Sequence, residues 1–516
     1  MTNYACYGRV SRLRKPFVSV TACFYRFLVF QLNPFWIHLC YFVSISVMGF
    51  SALKILKPRT DQSYRPTDIE YFFTSVSSAT VSSMSSVEME VFSNSQLVFI
   101  TVLMFVGGEV FTSALALHFA KYKSQLNKSE NKVDATDVTS SPRNLEDSEL
   151  GLFPVKSLEP KFMDLKYNSL RYLGYVMLGY LAVVLGLGST LVRIYLTFVP
   201  SAGDILKTKG LKISTFTIFT VISTFTNCGF VPTNENMIVF KNNPGLLLLL
   251  IPQVLLGNTL FPSCLRFSIS LLGMITRKEE FKYMLKYTRE MQCHYLLPRL
   301  HSLLLVFTVL GFILVQFILF CSMEWNSGAL DGMTFYQKIV GALFQAVNSR
   351  HTGESIVDLS IISPAVLVLF VVMMYLPPHT YFSPIKDHEQ YEGSCEKKNK
   401  PTRHYLVENI LFSPLCYLVI FVILVCITER KKIKDDPLNF SLLNIVIEVV
   451  SAYGNVGFST GYSCKRQINP DSHCKDSWIG FSGRWSNKGK MILILVMFFG
   501  RLKNFSIGAG KAWNLS

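Results

Sequence analysis

The chain has 516 residues, of which 50% are hydrophobic and only 16% are charged, and its mean hydropathy is +0.34. A soluble domain does not need this much apolar sequence to fill its core, so the composition indicates a protein that lies in the lipid bilayer. The formal net charge of +16 would suit a nucleic-acid-binding protein. However, the Lys and Arg residues flank apolar segments and form no basic domain with interleaved aromatic residues, so nucleic acid is excluded as a partner.

Eight apolar segments are candidates for membrane-spanning helices, each of which needs about 20 predominantly apolar residues. In chain order they are Pro34–Leu56, Gln96–Ala120, Tyr172–Val199, Leu246–Met274, Leu300–Cys321, Ile361–Leu376, Tyr405–Thr428 and Met491–Leu502. The sixth and the eighth are short. We include them because the repeat pattern described next requires a second helix at both places.

Between each odd-numbered span and the next even one lies a segment that combines a short helix-compatible stretch with a Gly- or Ser-bearing turn. These segments are Tyr71–Ser85, Ser214–Gly229, Tyr336–Gly353 and Phe440–Gly457. Irregular backbone at membrane depth is tolerated only where it is buried in protein or lines water, which is the situation of a re-entrant pore loop. The sequence therefore predicts an all-α integral membrane protein with eight transmembrane helices, arranged as four helix–pore loop–helix repeats around one central pore.

The repeats and their connections predict the division of the chain. The parts are a cytoplasmic N-terminus (1–33), repeat A (34–121), a cytoplasmic linker (122–171), repeat B (172–275), a linker (276–298), repeat C (299–378), a linker (379–404) and repeat D with the C-terminus (405–516). The longest linker is Ser-rich and acidic, so we expect it to be partly disordered.

The charge on the flanks of the spans predicts the orientation of the chain. An even number of spans places both termini on one side, and the segment up to Asn33 has five basic residues and no acidic one. The positive-inside rule therefore predicts that both termini are cytoplasmic. The basic run Glu429–Lys434 argues the other way, because this topology places it outside the cell.

Four residues at equivalent places in the pore loops are candidates for a selectivity filter: Ser83, Gly229, Gly353 and Gly457. A ring of backbone carbonyls can replace the hydration shell of a cation, and glycine adopts the positive φ that such turns need without a Cβ penalty. Each glycine alone could be an ordinary loop glycine, but four equivalent placements favour a filter.

Four ordered motifs carry a resemblance to a known family. They are Ser82–Ser93, Phe225–Asn236, Asn348–His351 with Gly353 and Glu354, and Tyr453–Phe458. Together they resemble the plant high-affinity potassium transporter (HKT) family, within the Trk/Ktr/HKT cation transporters, from about Asn33 to Trp513. The resemblance implies a plasma-membrane protein that passes Na⁺, K⁺ or both through one pore formed by a single chain, and relatives of this kind resemble homodimers with a pore in each subunit.

Ser83 is the one filter candidate that is not glycine. Its Cβ and hydroxyl would crowd the ring and penalise K⁺ more than the smaller Na⁺, and within the family a serine here resembles the Na⁺-selective subfamily. Asn227 and Asn258 are neutral amides where a carboxylate could have been, so cation binding near the second loop should be weaker. The family resemblance again leans towards Na⁺ here. We therefore predict a Na⁺-selective uniporter. The alternatives are Na⁺/K⁺ symport or K⁺-permeable transport, with Ser83 as a tolerated small residue.

Charged residues near the loops suggest further parts of the ion path. The acidic residues Glu88, Glu90, Glu235 and Glu354 are placed to raise the cation concentration at an outer mouth, or else they are a solvated rim and helix caps. Arg501 lies in the last span, where a charge is expensive. The family resemblance implies an inner barrier to cations at Arg501, and the alternative is an arginine that snorkels to the membrane surface.

No catalytic or metal-binding pattern stands out in the sequence. It has no His-Glu-x-x-His or Gly-x-Ser-x-Gly motif, so an enzyme or receptor remains only as an alternative of another class. We expect no cofactor, and no metal ion other than transported Na⁺ or K⁺. Cys464 and Cys474 share a polar segment that this topology places outside the cell, where they either form a disulfide or remain free thiols.

Overall fold

The structure is a computed structural model that describes residues 34–59, 65–118, 160–379 except 292 and 294, 414–468, 474, 476 and 480–506. Several predictions lie outside these residues: the N-terminus 1–33, the linkers 122–159 and 380–404, the first part of the seventh span (405–413) and the C-terminal residues 507–516.

The described residues form α-helices connected by turns and short 3₁₀ segments, and within them there is no β-strand. The helices are α1 Pro34–Ile55, α2 Asp68–Ala79, α3 Asn94–Gly107, α4 Glu109–His118, α5 Pro160–Phe198, α6 Pro200–Thr208, α7 Ile213–Thr226, α8 Pro244–Gly257, α9 Phe261–Thr276, α10 Glu279–Lys286, α11 Arg299–Glu324, α12 Phe335–Asn348, α13 Pro364–Tyr375, α14 Pro414–Thr428, α15 Arg430–Asp435, α16 Leu442–Gly454 and α17 Asn487–Ser506.

The helices form four units of the same kind. Each has a first helix (α1, α5, α11, α14), a pore helix (α2, α7, α12, α16), a turn, and a second helix (α3, α8, α13, α17). The ends of the pore helices follow from local sequence. The Thr334 and Ser441 side chains accept from the third helical backbone N–H of α12 and α16, and α7 and α16 end at asparagines in the left-handed conformation, which asparagine tolerates better than most residues.

The four units close into a ring. The second helix of each unit packs against the pore helix of the next: α3 against α7, α8 against α12, and α13 against α16. The last second helix, α17, returns to the first pore helix, α2. One chain therefore surrounds a single axis, and the four turns that follow the pore helices lie around it.

The second helices of the first two units are broken, whereas continuous spans were predicted. The axis bends by 54° between α3 and α4 and by 82° between α8 and α9. Both breaks follow a glycine that lies against the last turn of a pore helix: a Cβ on Gly107 would overlap the Ala79 carbonyl, and a Cβ on Gly257 would overlap the Phe225 carbonyl. Pro262, in the first turn of α9, cannot continue the preceding helix.

Two connecting segments also contain more helix than expected. Helix α5 begins at Pro160, not at Tyr172, and runs for 39 residues. Helix α10, in the predicted linker 276–298, packs against α5 through a buried apolar face that includes Phe281 and Met284. Because this apolar face is covered by α5, the linker is part of the folded core.

The described helices can be compared with the length of a bilayer crossing. Three are long and apolar enough by themselves: Phe35–Ile55, Leu165–Phe198 and Arg299–Glu324. The bent pairs α3–α4 and α8–α9 bring the number to five if each pair is one span. The structure therefore contains helices that are long and apolar enough to span a membrane, while the predicted number of eight stays a prediction.

Candidate ion pathway

All four filter candidates have the same unusual backbone conformation. Their φ angles are +54° at Ser83, +83° at Gly229, +65° at Gly353 and +100° at Gly457. Positive φ costs little at glycine but is uncommon for a residue with a Cβ. The turn geometry is therefore shared by the four units even though the first has a serine. We call Ser83, Gly229, Gly353 and Gly457 the filter ring.

Neighbouring turns of the filter ring pack closely, which leaves no room for a side chain at the glycines. A Cβ on Gly229 would overlap the Thr352 carbonyl, and a Cβ on Gly353 would lie 2.7 Å from the Phe458 nitrogen. Between the second and first units, the Cys228 side chain lies next to the Ser83 backbone. The second turn thus meets the third and the first, and the third meets the fourth.

The Ser83 side chain lies between the first and fourth units. A Cβ on Gly457 would overlap the Ser83 Cβ and would lie 2.8 Å from the Ser83 Oγ. Only 9% of the surface of Ser83 is exposed. The serine therefore occupies, from one side, the space that the glycine of the next turn leaves open.

The residues two positions before the filter ring brace the turns. Asn227 and Asn455 both have positive φ. The Asn455 side chain donates to Ser82 Oγ at 2.6 Å and so joins the fourth unit to the first. With its amide oriented to satisfy its neighbours, Asn227 accepts from Asn258 Nδ2 at 2.7 Å. These two amides, expected to weaken cation binding near the second loop, thus contact each other.

The third unit uses a histidine at this position. His351 is fully enclosed, with Thr259 Oγ1 2.9 Å from its Nε2 and the Val347 carbonyl 2.6 Å from its Nδ1. Arg350 beside it donates to the Pro377 carbonyl at 2.5 Å. Both side chains therefore hold the third loop against its surroundings.

A cavity of about 50 Å³ adjoins the filter ring on the side of the pore-helix ends. Its lining includes Asn227 and Asn455 from the turns, Asn258 from the break between α8 and α9, and Arg501 and Lys503 from α17. The cavity therefore lies beside the residues two positions before the filter ring, near the ends of the pore helices.

Arg501 contributes to this cavity from the second helix of the fourth unit. Its position in that helix corresponds to the breaks in the second helices of the first two units. It follows Gly500, which packs on the Tyr453 carbonyl as Gly107 and Gly257 pack on the ends of their pore helices. Arg501 is only 2% exposed, so the side chain does not snorkel to a surface. Its Nη1 donates to Glu109 Oε1 at 3.1 Å, and its Nη2 donates to the Gly107 carbonyl.

The predicted outer-mouth carboxylates have different surroundings. Glu88 is exposed and accepts from the Asn234 side chain at 3.0 Å. Glu90 and Glu235 both contact the ammonium group of Lys209. Sequence reasoning missed Lys209, because 119 residues separate it from Glu90 and no pattern in the sequence connects the two.

Glu354 differs from these three because it is completely buried. Its Oε1 accepts from Thr224 Oγ1 at 2.6 Å, which links the turn after Gly353 in the third unit to the second pore helix. Glu448 on α16 is also fully buried, and it accepts from the Ser482 backbone N–H at 3.1 Å. Glu448 was not among the predicted residues, and an acidic residue within an apolar pore helix is the signal that could have identified it.

Two further contacts tie distant parts of the chain together. Lys490 at the start of α17 donates to Glu70 of α2 at 2.9 Å, and both side chains are buried. In the polar segment expected to hold a disulfide or two free thiols, Cys464 is bonded to Cys474. The first contact joins the last unit to the first pore helix, and the second closes the loop before α17.

Arg266, a charged residue on α9, has a packing role. Arg266 donates to the Leu297 carbonyl at 2.9 Å and so holds α9 against the segment before α11. Within the described ranges, no group of three His, Cys, Asp or Glu residues is arranged to hold a metal ion.

Comparison with known proteins gives the same architecture and a family. The family model described as "TrkH: Cation transport protein" matches residues 155–379 and 394–509. The potassium transporter TrkH of Vibrio parahaemolyticus has a similar structure, with a TM-score of 0.50 over 92% of this chain and 84% of that one, at 13% sequence identity. This likeness supports the fold, and the predicted all-α membrane architecture is confirmed.

Several plant proteins are similar over nearly their whole length. "Probable cation transporter HKT1;4" of rice is 51% identical, covering 93% of this chain and 97% of the relative. "Sodium transporter HKT1" of Arabidopsis thaliana is 49% identical, covering 90% and 92%. "Cation transporter HKT1;3" of rice is 48% identical, covering 94% and 92%. The predicted resemblance is confirmed: the chain belongs to the TrkH family of cation transport proteins and, within it, to the plant HKT transporters.

Proposed function

We propose that this protein is a Na⁺-selective uniporter of the plasma membrane that conducts Na⁺ down its electrochemical gradient through the filter ring. The observation that carries this proposal is Ser83, which adopts the positive φ of the three filter glycines and places its side chain against Gly457. One of the four turns of the ring is restricted by a side chain, so the ring is harder to widen. It therefore accommodates the smaller Na⁺ more easily than the larger K⁺.

The cavity next to the filter ring supports a channel-like path with an internal barrier. Arg501 carries a positive charge into this cavity, and Glu109 offsets part of that charge. A cation leaving the ring meets this pair, so the pair limits the rate of conduction and the ring determines which ion is conducted. The name of the Arabidopsis relative, a sodium transporter at 49% identity, supports Na⁺ as the main ion.

The orientation proposed from the sequence is eight spans with both termini in the cytoplasm. The pore helices then enter from the outside, the carboxylates Glu88, Glu90 and Glu235 lie at the outer mouth, and Arg501 lies on the cytoplasmic side of the filter ring. The disulfide between Cys464 and Cys474 supports this orientation, because such bonds persist outside the cell. We propose a homodimer with one pore in each subunit.

Replacing Ser83 tests the proposal directly. In Ser83→Gly all four positions of the filter ring are glycine. We expect the K⁺ permeability relative to Na⁺ to rise by about tenfold or more. This corresponds to a change of about 1.4 kcal/mol in the relative barrier height. The measurement is the reversal potential under voltage clamp in separate Na⁺ and K⁺ baths. An unchanged K⁺ permeability would leave Ser83 with only a structural role.

Ser83→Ala is the matched control, because it keeps the Cβ and removes the hydroxyl. If restriction of the backbone by the Cβ is the cause of selectivity, the alanine variant stays close to the wild type. If the hydroxyl itself selects Na⁺, the alanine variant behaves like glycine, and the mechanism proposed for Ser83 changes while the Na⁺ preference of the wild type stands.

A further inference from the structure

Lys209 connects the outer loops of the first two units. Helix α6 ends at Thr208, and Lys209, the residue that caps it, precedes the second pore helix. Its Nζ lies 2.6 Å from Glu90 Oε1 and 2.5 Å from Glu235 Oε2. Glu90 follows the first filter turn and Glu235 follows the second, so a single ammonium group binds a carboxylate from each of two neighbouring turns.

The surroundings fix this ammonium group in place. Asn234 holds Glu90 through two hydrogen bonds, one from its backbone N–H at 3.1 Å and one from the Glu90 N–H to its side-chain oxygen at 3.0 Å. Arg59 donates to the Lys209 carbonyl at 2.5 Å. The contact is therefore built from several polar groups, unlike a chance pairing of two flexible surface side chains.

The three charged side chains are accessible to solvent but not fully immersed in it. Their exposed fractions are 18% for Lys209, 25% for Glu90 and 31% for Glu235. Burial opposes the charge on Lys209, but its hydrogen bonds to Glu235 and Glu90 outweigh burial and raise the pKa of Lys209 above its ordinary value. The lysine is therefore charged at any physiological pH.

We propose that Lys209 limits cation entry by neutralising one of the two carboxylate charges that Glu90 and Glu235 place at the outer mouth. With the lysine the group carries one net negative charge, and without it the group carries two. Carboxylates at a pore entrance concentrate cations, so the lysine sets how strongly this entrance does so. The inference rests on the proposed outward orientation and cation conduction, but it does not depend on Na⁺ selectivity.

The size of the effect follows from Coulomb's law in water. One elementary charge about 10 Å from the entering ion changes the local cation concentration by about twofold when salt is low. At an ionic strength of about 0.15 M the Debye length is about 8 Å, and most of this effect is screened. The dependence on ionic strength separates an electrostatic role for Lys209 from a purely mechanical one.

The experiment uses Lys209→Cys in the full chain, expressed in cells under voltage clamp. The inward Na⁺ current at subsaturating Na⁺ is recorded at ionic strengths of about 0.01 M and about 0.15 M. We expect the variant current to be about twice that of the wild type at low ionic strength and nearly equal to it at high ionic strength. Surface labelling normalises the current to the amount of protein at the membrane.

Reagents applied from outside then restore or invert the charge in the same cells. A 2-aminoethyl methanethiosulfonate returns a cation to the introduced thiol of Lys209→Cys and should lower the current to the wild-type level, whereas the 2-sulfonatoethyl reagent adds an anion and should raise it. Wild-type protein treated with both reagents controls for native cysteines such as the exposed Cys40.

Lys207→Cys is the matched control, because Lys207 lies two residues away and pairs with Asp204 on the same short helix, with both side chains more than 60% exposed. It should show neither the salt-dependent gain nor a response to the reagents. For Lys209→Cys, no gain at low ionic strength would overturn the proposal. So would a loss of current that is equal at both ionic strengths and is not reversed by the aminoethyl reagent.

Glu235→Gln gives a second test that does not require the lysine variant to fold. Removing this carboxylate leaves Lys209 with Glu90 alone, and we expect the current to fall by about twofold at low ionic strength only.

Repeating the Lys209→Cys recordings with K⁺ as the charge carrier separates this inference from the proposed function. Equal Na⁺ and K⁺ currents would defeat Na⁺ selectivity while leaving the dependence on Lys209 in place.

Discussion

The filter ring and the cavity beside it are adjacent regions that are built in opposite ways. The ring consists of four backbone turns with positive φ, and no charged side chain replaces the glycine or serine in any of them. The cavity is lined by ionisable side chains, among them Arg501 and Glu109. In the proposed function the ring selects the ion through neutral backbone dipoles at fixed positions, whereas a single charge near the path is enough to limit the rate.

The two regions also differ in symmetry. The four ring positions share one conformation, while the equivalent positions after the second-helix glycines are Gly108, Asn258 and Arg501 in the first, second and fourth units. A closed ring of carbonyls needs four similar turns. A barrier needs only one charge, so a single unit can supply it.

Among the substitutions that test this difference between ring and cavity, Gly353→Ala should have the largest effect on the Na⁺ current. Its φ is +65°, and the Phe458 nitrogen lies 2.7 Å from the point that a Cβ would occupy, which leaves no room for a methyl group. The third and fourth turns must therefore separate. We expect Na⁺ current per surface molecule to fall by more than tenfold, with the left-handed conformation alone costing about 1–2 kcal/mol. Current and surface labelling are measured in parallel.

Gly332→Ala is the control for this variant. Gly332 also has a positive φ, +75°, but nothing lies within 4 Å of its Cβ position. It should keep most of the wild-type current. An equal loss in both variants would mean that backbone strain, and not contact between neighbouring turns, explains the result at Gly353.

Lys490→Met should have the next largest effect, because Lys490 joins the helix that carries Arg501 to the pore helix that precedes Ser83. The substitution removes the ammonium group that lies 2.9 Å from Glu70 Oε1 in a buried site. Breaking one partner of a buried ion pair costs about 3–5 kcal/mol. The midpoint of thermal unfolding in detergent should fall clearly, and should fall far less for Lys488→Met at an exposed position of the same helix.

Removing both charges of the Glu70–Lys490 pair gives a sharper test of this prediction. Glu70→Gln combined with Lys490→Met removes both charges, and the double variant should be more stable than Lys490→Met alone. A double variant that is less stable than either single variant would show that Glu70 and Lys490 stabilise the protein independently of each other.

Glu109→Gln should have the smallest effect and should act on the cavity alone. Removing the carboxylate charge 3.1 Å from Arg501 increases the net positive charge along the path. At an effective dielectric constant near 20, charges several ångströms apart interact by a few kcal/mol, and the passing ion feels part of that. We expect the Na⁺ current to fall about threefold with an unchanged reversal potential, and Glu109→Asp to lie close to the wild type. A changed Na⁺/K⁺ preference in Glu109→Gln would contradict the separation between ring and cavity.

Much of the ring could be predicted from the sequence, because its signals are local. The four filter positions each follow a helix-compatible stretch within a few residues, and a repeated glycine predicts positive φ. The exception at Ser83 was visible for the same reason. The predicted pore segments agree with the observed pore helices, which begin at Asp68, Ile213, Phe335 and Leu442.

The cavity and the outer mouth were less predictable, because they depend on contacts between distant parts of the chain. The helix breaks after Gly107 and Gly257 result from close approach to pore-helix carbonyls. Glu354 looks like a mouth residue in the sequence, yet Thr224 from another unit holds it in a buried site. Periodicity and composition carry no information about such pairings.

The central claim is that the ring with Ser83 prefers Na⁺, and the reversal potential of the wild-type protein tests it most directly. In a bath with Na⁺ as the only permeant cation, a tenfold change in external Na⁺ should shift the reversal potential by about 59 mV. The same change in external K⁺, with Na⁺ held constant, should shift it by only a few millivolts. A shift with K⁺ as large as the shift with Na⁺ would contradict the account.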